Sequence, residues 1–327
     1  MPKKLRVGLI GCGGIMRGHA QRLLQMPEAE VAALVEPNQE HLTRFQTAVP
    51  ATAELPAFRD YRKMLAKVSL DAVVIATPHT LHFKEAMDAL DYGCHILSEK
   101  PMVCRVDHAK QLIAKAKRKR KVLMISYQRH FQPAFRYAKQ LVEEGKLGKL
   151  TYITALQGQN WYGQRLTWRG DPKLSGGGQL NDSGSHLLDI ILWVTGLVPQ
   201  EVFAYINPIK ARVDILSALS MKFKGGAIGT LSIVGHFPGW REDVTFVGME
   251  GAMFVRDGRL FLERHGEGLK DVTEECKYSN NADRNFILSI LGKEQPQVPG
   301  ICGLRVIQLT QAAWQSGAKG KPVLVEQ

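Results

Sequence analysis

Short apolar runs, each stopped by glycine or proline and followed by helically spaced residues, fill the first third of the chain. Leu5-Arg6-Val7-Gly8-Leu9-Ile10 reads as a buried strand, and Gly11-Cys12-Gly13-Gly14 as a tight turn opening a helix through His19 to Leu24. A second strand over 31–35 ends at Glu36-Pro37. Helical spacing over 39–48 and 61–67 precedes a central strand over 71–76, which stops at Thr77-Pro78-His79 before another helix over 81–90. Apolar runs recur over 93–97 and 122–125. This alternation predicts an α/β fold whose N-terminal part, residues 1–125, is a doubly wound parallel sheet of Rossmann type.

Beyond Ser126 the rhythm changes. A helix over 133–144 is followed by strand-like segments over 150–156, 201–206, 215–223, 227–234, 244–248 and 252–255. Turns such as Lys224-Gly225-Gly226 and Asp257-Gly258 predict an antiparallel sheet with meander connections. Helical patterns over 282–291 and 301–316 are expected to pack on a face of that sheet. Residues 126–327 thus read as a C-terminal α+β domain built on a large, mostly antiparallel sheet and suited to substrate binding.

At 327 residues the chain can bury two cores. No apolar run approaches the roughly 20 residues of a membrane helix. Met1-Pro2-Lys3-Lys4 ahead of an apolar stretch superficially resembles a secretory leader, but the stretch runs straight into glycines and reads as the first strand. The five cysteines, Cys12, Cys94, Cys104, Cys276 and Cys302, are scattered and odd in number, which suggests reduced thiols and a cytoplasmic location. The net charge of +12 is compatible with an anionic ligand. Its densest run, over 115–121, closes a helical pattern, where the helix dipole favours cations, so a solvated helix end is preferred over a nucleic-acid surface.

Three stretches carry chemistry. Glycines in the first turn let the backbone approach a pyrophosphate, and the following helix supplies amide hydrogens and a positive dipole end. Met16 stands where the usual fingerprint has its third glycine. Glu36, at the end of the second strand, suits the ribose hydroxyls of NAD and repels the 2′-phosphate of NADP, so NAD is the expected cofactor and NADP the less favoured one. Glu99-Lys100-Pro101 ends a buried strand and presents a cation at its carboxyl end, where ligands sit in open α/β sheets.

In the second half, Gly176-Gly177-Gly178 reads as a flexible turn leading into an apolar helix through Asp182, His186 and Asp189. Asp182 and His186 are four apart and are expected to share a helix face. Imidazole suits proton transfer with an alcohol, while Asp182 can bind a sugar hydroxyl or orient the ring; helix capping and a satisfied inner-face histidine are the structural alternatives. No further His or Cys stands at ligand spacing, so no metal is expected. Trp161-Tyr162 and Trp168-Arg169 place aromatics and a cation on a loop, suited to stacking on a sugar or to wedging an interface. Arg129, in Tyr127-Gln128-Arg129-His130-Phe131, is a candidate for cofactor or substrate, or for a bridge between domains.

The order of Gly11-x-Gly13, Ala76-Thr77-Pro78 with His82, Glu99-Lys100-Pro101, the 127–131 stretch and the 176–189 stretch resembles the glucose-fructose oxidoreductase, inositol dehydrogenase and MocA family, over essentially the whole chain. The resemblance implies an NAD(P)-dependent dehydrogenase acting on a secondary alcohol of a sugar, inositol or related polyol. It implies Lys100, His186 and Asp182 as the catalytic group: Lys100 on the reacting hydroxyl and the nicotinamide ribose, His186 as acid/base, and Asp182 as a substrate ligand assisting it. Gly11, Gly13, Gly14, Ile15, Met16, Glu36, Thr77, Pro78, His82, Glu99, Lys100 and Arg129 are then expected at the cofactor, and Trp161, Trp168, Arg169, Asp182 and His186 with Lys100 at the substrate. A cis Lys100–Pro101 peptide and a homodimer or homotetramer formed through the antiparallel sheet are also implied, with no nucleic-acid or membrane partner. Relatives that reduce keto-sugars or nucleotide-sugars, that cleave glycosides through transient oxidation, or that only sense dinucleotides define the alternative readings.

Overall fold

The computed structural model describes residues 4–327, and the Met1-Pro2-Lys3 part of the leader-like stretch lies outside the described residues. The chain forms two compact units. The first comprises residues 4–103, 107–127 and 280–303, so it takes in a late segment that a division at 125 leaves in the second domain.

Its sheet has six strands, β1 (Leu5–Ile10), β2 (Ala29–Val35), β3 (Ala57–Phe58), β4 (Ala72–Ile75), β5 (His95–Ser98) and β6 (Leu123–Ile125), in the order β3-β2-β1-β4-β5-β6. All five pairings are parallel. Helices α1 (Gly14–Leu24), α2 (Gln39–Ala48), α3 (Tyr61–Lys67), α4 (His82–Asp91) and α5 (Val106–Arg118) supply the crossovers. β4 is buried along its whole length, as a parallel strand covered on both faces must be. Asn38 and Asp60 cap α2 and α3 by accepting amide hydrogens, which is why those helices begin where they do.

The second unit contains residues 104–106, 128–279 and 304–327. Helix α6 (Pro133–Glu143) leads into β7 (Leu150–Asn160), then the short α7 (Pro172–Ser175) and α8 (Gly184–Thr195). The strands β8 (Pro199–Asn207), β9 (Leu216–Phe223), β10 (Ile228–Val234), β11 (His236–Gly248), β12 (Gly251–Arg256), β13 (Arg259–Arg264) and β14 (Gly268–Asp271) follow. The chain closes with α9 (Ala282–Ile290), α10 (Gly300–Lys319) and β15 (Val323–Leu324). The nine-stranded sheet has the order β14-β13-β12-β11-β7-β10-β9-β8-β15. It is two meanders joined by one parallel pair, β7 with β10, rather than antiparallel throughout.

Cross-strand register sorts the side chains cleanly. Ala204, Leu219, Leu231, Ala155, Val244, Val255 and Leu260 are successive partners and all buried. The neighbouring row, from Phe203 through Ser220, Thr230, Thr154 and Thr245 to Phe254 and Phe261, lies on the more open face. α8 packs on α6 and β7.

Only part of the late helical expectation holds. Ser316 of α10 accepts the amide hydrogen of Ala204 at 3.0 Å, so this stretch does lie on the antiparallel sheet. α9 instead packs on α1 and β5 of the first unit, with Phe286 fully buried and Asp283 paired to His19 and Arg22. A buried aspartate needs cations, and α1 supplies them.

Candidate active site

In the first unit Gly11, Glu36, Thr77 and Glu99-Lys100 each follow the carboxyl end of a parallel strand, while Ile15, Met16 and His82 stand in the helices that come next. Gly11 follows β1 with φ +89°, and a Cβ there would stand 2.7 Å from the Ala76 carbonyl oxygen, so only glycine fits. Gly13 and Gly14 face open space, no side chain caps the start of α1, and Ile15 is exposed. That is a cradle with room for a diphosphate at a helix N-terminus. Met16 is fully buried beneath the helix, so the missing third glycine is replaced by a core side chain, and only its backbone belongs to the loop.

Glu36 follows β2. Its Oε2 accepts the Cys12 amide hydrogen and its Oε1 that of Asn38, both at 3.0 Å, which turns the carboxylate toward the glycine loop. Burial, with the Glu36 charge beside it, pushes the Cys12 thiol up to about 12, so the thiol is inert. Thr77 follows β4 and donates its hydroxyl to Glu85 at 2.5 Å; burial raises the Glu85 carboxyl to about 7 against the opposing pull of that bond. His82 is fully buried, with Nε2 2.9 Å from the Thr77 carbonyl and Nδ1 2.8 Å from that of Pro101. Burial lowers its pKa, and the neutral ring, with a single N–H, donates to one of these carbonyls and packs against the other, between the Thr77 turn and the Lys100–Pro101 turn.

Glu99-Lys100-Pro101 follows β5, with the Lys100–Pro101 peptide cis. The Glu99 carboxylate is fixed from behind: its Oε1 lies 3.1 Å from His19 Nε2, and its Oε2 accepts the Lys100 amide hydrogen at 3.3 Å. His19 Nδ1 meets Asp283 Oδ1 at 2.6 Å, and Arg22 donates to Asp283 Oδ2 at 2.5 Å. Burial alone would push His19 down, but Asp283 and Glu99 on its two ring nitrogens outweigh it and raise the imidazole to about 9. An imidazolium on α1 thereby pins the residue that precedes Lys100. Neither His19 nor Asp283 was a sequence candidate; the pair is separated by 264 positions, beyond any spacing rule.

In the second unit, Asp182 gathers two of the expected substrate residues. Its Oδ2 accepts hydrogens from Trp161 Nε1 and Arg169 Nε, each at 2.9 Å. Trp161 is buried in a cluster with Val213 and Ile215, so it acts as a donor that anchors Asp182 rather than as an open stacking surface. Arg169 lies over the Trp168 ring at 4.5 Å. Asp182 does not share a helix with His186: α8 begins at Gly184 after an N-cap at Ser183, which places Asp182 in the preceding turn and His186 in the first helical turn.

The glycine run ahead of them is crowded rather than flexible. A Cβ on Gly178 would stand 2.1 Å from the Asp214 carbonyl oxygen, and one on Gly177 2.3 Å from the Trp314 ring. The Asp214 carboxylate accepts the amide hydrogens of Gly178 and Leu180 at 2.9 and 2.7 Å and so fixes the turn. Beneath α8, Asp189 pairs with buried His130 at 2.6 Å, and the imidazole stacks on Trp193 at 4.0 Å. Arg129 donates from Nε to Glu242 at 3.0 Å and from Nη2 to the same carboxylate, so the cation named for the cofactor is committed to an acid of its own unit.

A parallel sheet with a phosphate cradle, and an accompanying unit carrying a His/Asp turn, define an NAD-binding oxidoreductase of two units. Residues 5–127 match the oxidoreductase family with an NAD-binding Rossmann fold, and residues 135–254 match the GFO/IDH/MocA C-terminal domain; the chain belongs to the GFO/IDH/MocA oxidoreductase family. It is 24% identical to D-glucoside 3-dehydrogenase of Escherichia coli K12, covering 98% of this chain and 97% of that one. The WlbA dehydrogenase of Bordetella pertussis, solved with NADH and UDP-GlcNAcA, superposes with a TM-score of 0.90 at 23% identity, over 100% of this chain and 99% of that one. Levoglucosan dehydrogenase, solved with NADH, superposes with a TM-score of 0.87 at 22% identity, over 99% of this chain and 100% of that one. Among the described residues no helix is long and apolar enough to cross a membrane.

Proposed function

We propose that the protein reversibly oxidises a secondary alcohol of a sugar, inositol or related polyol, with NAD as the hydride acceptor and in the reducing cytoplasm. The observation that carries this reading is that Gly11, Glu36, Thr77 and Lys100 all stand just beyond the carboxyl ends of neighbouring parallel strands. The cradle of Gly11, Gly13 and Gly14 fits the diphosphate, and Glu36, held by two backbone amides, accepts ribose hydroxyls and disfavours a 2′-phosphate. NAD, when bound, supplies the acceptor for the hydride leaving the carbinol carbon.

The chain's own residues then divide the remaining work. His186 takes the hydroxyl proton, Lys100 donates a hydrogen bond to the oxygen as carbonyl character develops, and Asp182 holds the loop that meets the sugar. The second unit supplies the substrate residues other than Lys100, and the first supplies Lys100 and the dinucleotide residues. Both Lys100 and His186 are present, which favours turnover over a dinucleotide-sensing role. D-glucoside 3-dehydrogenase and levoglucosan dehydrogenase, by their names, act on carbohydrates, which supports the substrate class.

The test is NADH formation by the purified protein with NAD and a panel of inositols, aldoses, uronates and glycosides, run beside Lys100→Ala. Turnover of at least one substrate, reduced about 10²-fold or more in the variant, is expected. Turnover that Lys100→Ala leaves unchanged would contradict the role of the lysine, and no oxidation anywhere on the panel would contradict the dehydrogenase reading.

A further inference from the structure

We infer that the sugar taken by the second unit carries an oxyanion, a carboxylate or a phosphate, and that Arg169 is the residue that reads it. The inference rests on the dehydrogenase reading and narrows its substrate class. Arg169 is held from two sides: its Nε donates to Asp182 Oδ2 at 2.9 Å, and the guanidinium lies over Trp168. Its two terminal nitrogens meet no acceptor among the described residues, and its side chain is 32% exposed while that of Asp182 is 6% exposed. A guanidinium fixed through Nε presents Nη1 and Nη2 in one plane, the geometry that binds two oxygens of a carboxylate or phosphate.

The other cations nearby are differently placed. Arg165 donates to the Tyr162 carbonyl and stacks on the Tyr162 ring at 3.8 Å, and Arg212 pairs with Asp171 at 3.4 Å. The acids nearby are already engaged: Asp182 by Trp161 and Arg169, Asp171 by Arg212 and the Lys173 amide, and Asp214 by the turn at Gly178. The Nη edge of Arg169 is therefore a fixed cation with no acceptor among the described residues, and an anionic substrate group supplies what it lacks.

A second feature points the same way. Ile209 and Lys210 have φ of +40° and +60° in a tight turn closed by the Ala211 amide on the Pro208 carbonyl at 2.8 Å. A β-branched residue in that region is costly, and such strain persists where surrounding structure imposes it. Here Tyr162 donates its hydroxyl to the Ile209 carbonyl at 3.1 Å, tying a turn that bears Lys210 to the loop that bears Arg169.

The experiment compares matched pairs on the full-length protein loaded with NADH: glucuronate and glucose 6-phosphate against glucose, and galacturonate against galactose. Binding is followed by calorimetry in the wild type, Arg169→Gln and Arg169→Lys. Because Arg169 also holds Asp182, the readout is the ratio of acid to neutral affinity, which a merely structural role would leave unmoved. The wild type is expected to favour an acidic sugar over its neutral parent about 10-fold or more, and Arg169→Gln to lower that ratio about 10-fold to 100-fold. Arg169→Lys, which keeps the charge but loses the fork, falls between them. A preference for uronate or for phosphate identifies the oxyanion.

Equal binding of acid and neutral sugars, no binding of any acidic sugar, or a ratio unchanged in Arg169→Gln would overturn the inference. The underlying reading fails separately: an Arg169-dependent preference without NADH formation from any sugar removes the dehydrogenase and leaves the anion site. Oxidation of neutral sugars with no dependence on Arg169 does the reverse.

Discussion

In the first unit the groups proposed for the dinucleotide are fixed by buried charge and by backbone, whereas in the second the groups proposed for the substrate sit on irregular turns with part of their polar surface open. Glu99 is held by an imidazolium, Glu36 by two amides, and His82 between two carbonyls, all of them buried. Arg169, by contrast, is anchored through one nitrogen and a ring face on a loop of short 3₁₀ turns. A cofactor that stays the same from turnover to turnover rewards rigidity built into the core. A substrate that must be told from its analogues rewards groups left unsatisfied until it arrives. The contrast predicts that changes in the first network register as lost stability, and changes in the second as altered discrimination.

The largest effect is expected at His19. Its replacement by Leu leaves Glu99 and Asp283 as buried carboxylates without their shared cation, and a loss of about 3–5 kcal/mol should appear as a lower urea midpoint. The pH dependence has a definite sign. The contribution of His19 is complete below its ordinary pKa of 6.5 and is lost as pH rises through about 9, so the wild type weakens on that alkaline limb and His19→Leu lacks it. A variant as stable as the wild type would break the contrast between the two units.

A smaller effect of opposite sign is expected at Glu85. Its carboxyl is raised from 4.5 to about 7 by burial, so ionising it costs stability progressively across that interval. Glu85→Gln should therefore be more stable than the wild type by about 1–3 kcal/mol near pH 8 and little changed near pH 5. Thermal unfolding at the two pH values checks this, and a variant less stable at the higher pH would mean that the Thr77 hydroxyl bond outweighs desolvation.

Much of the first unit was legible because its instructions are local. A strand, a glycine turn and a terminal acid or lysine lie within a few residues of one another, and the strand expectations over 5–10, 71–76 and 122–125 correspond to β1, β4 and β6. The network behind Glu99 was not legible, since His19 and Asp283 meet only through the packing of α9 on α1. In the second unit the spacing of Asp182 and His186 suggested one helix face, but the Ser183 N-cap falls between them. The run of glycines suggested flexibility, while its cause is the close approach of Asp214 and Trp314. Trp161 and Arg129 carried alternatives of ligand contact and of structural bridging, and sequence alone did not show the partners distant in the chain, Asp182 and Glu242, to which they donate.

The most direct test of the division between the units is to measure NADH affinity and turnover side by side in His186→Ala. With His186 in the substrate-bearing unit as the proton acceptor, kcat should fall by about 10²–10⁴ while NADH binds within a few-fold of the wild type. Retained turnover, or an affinity for NADH that falls in step with kcat, would contradict the account.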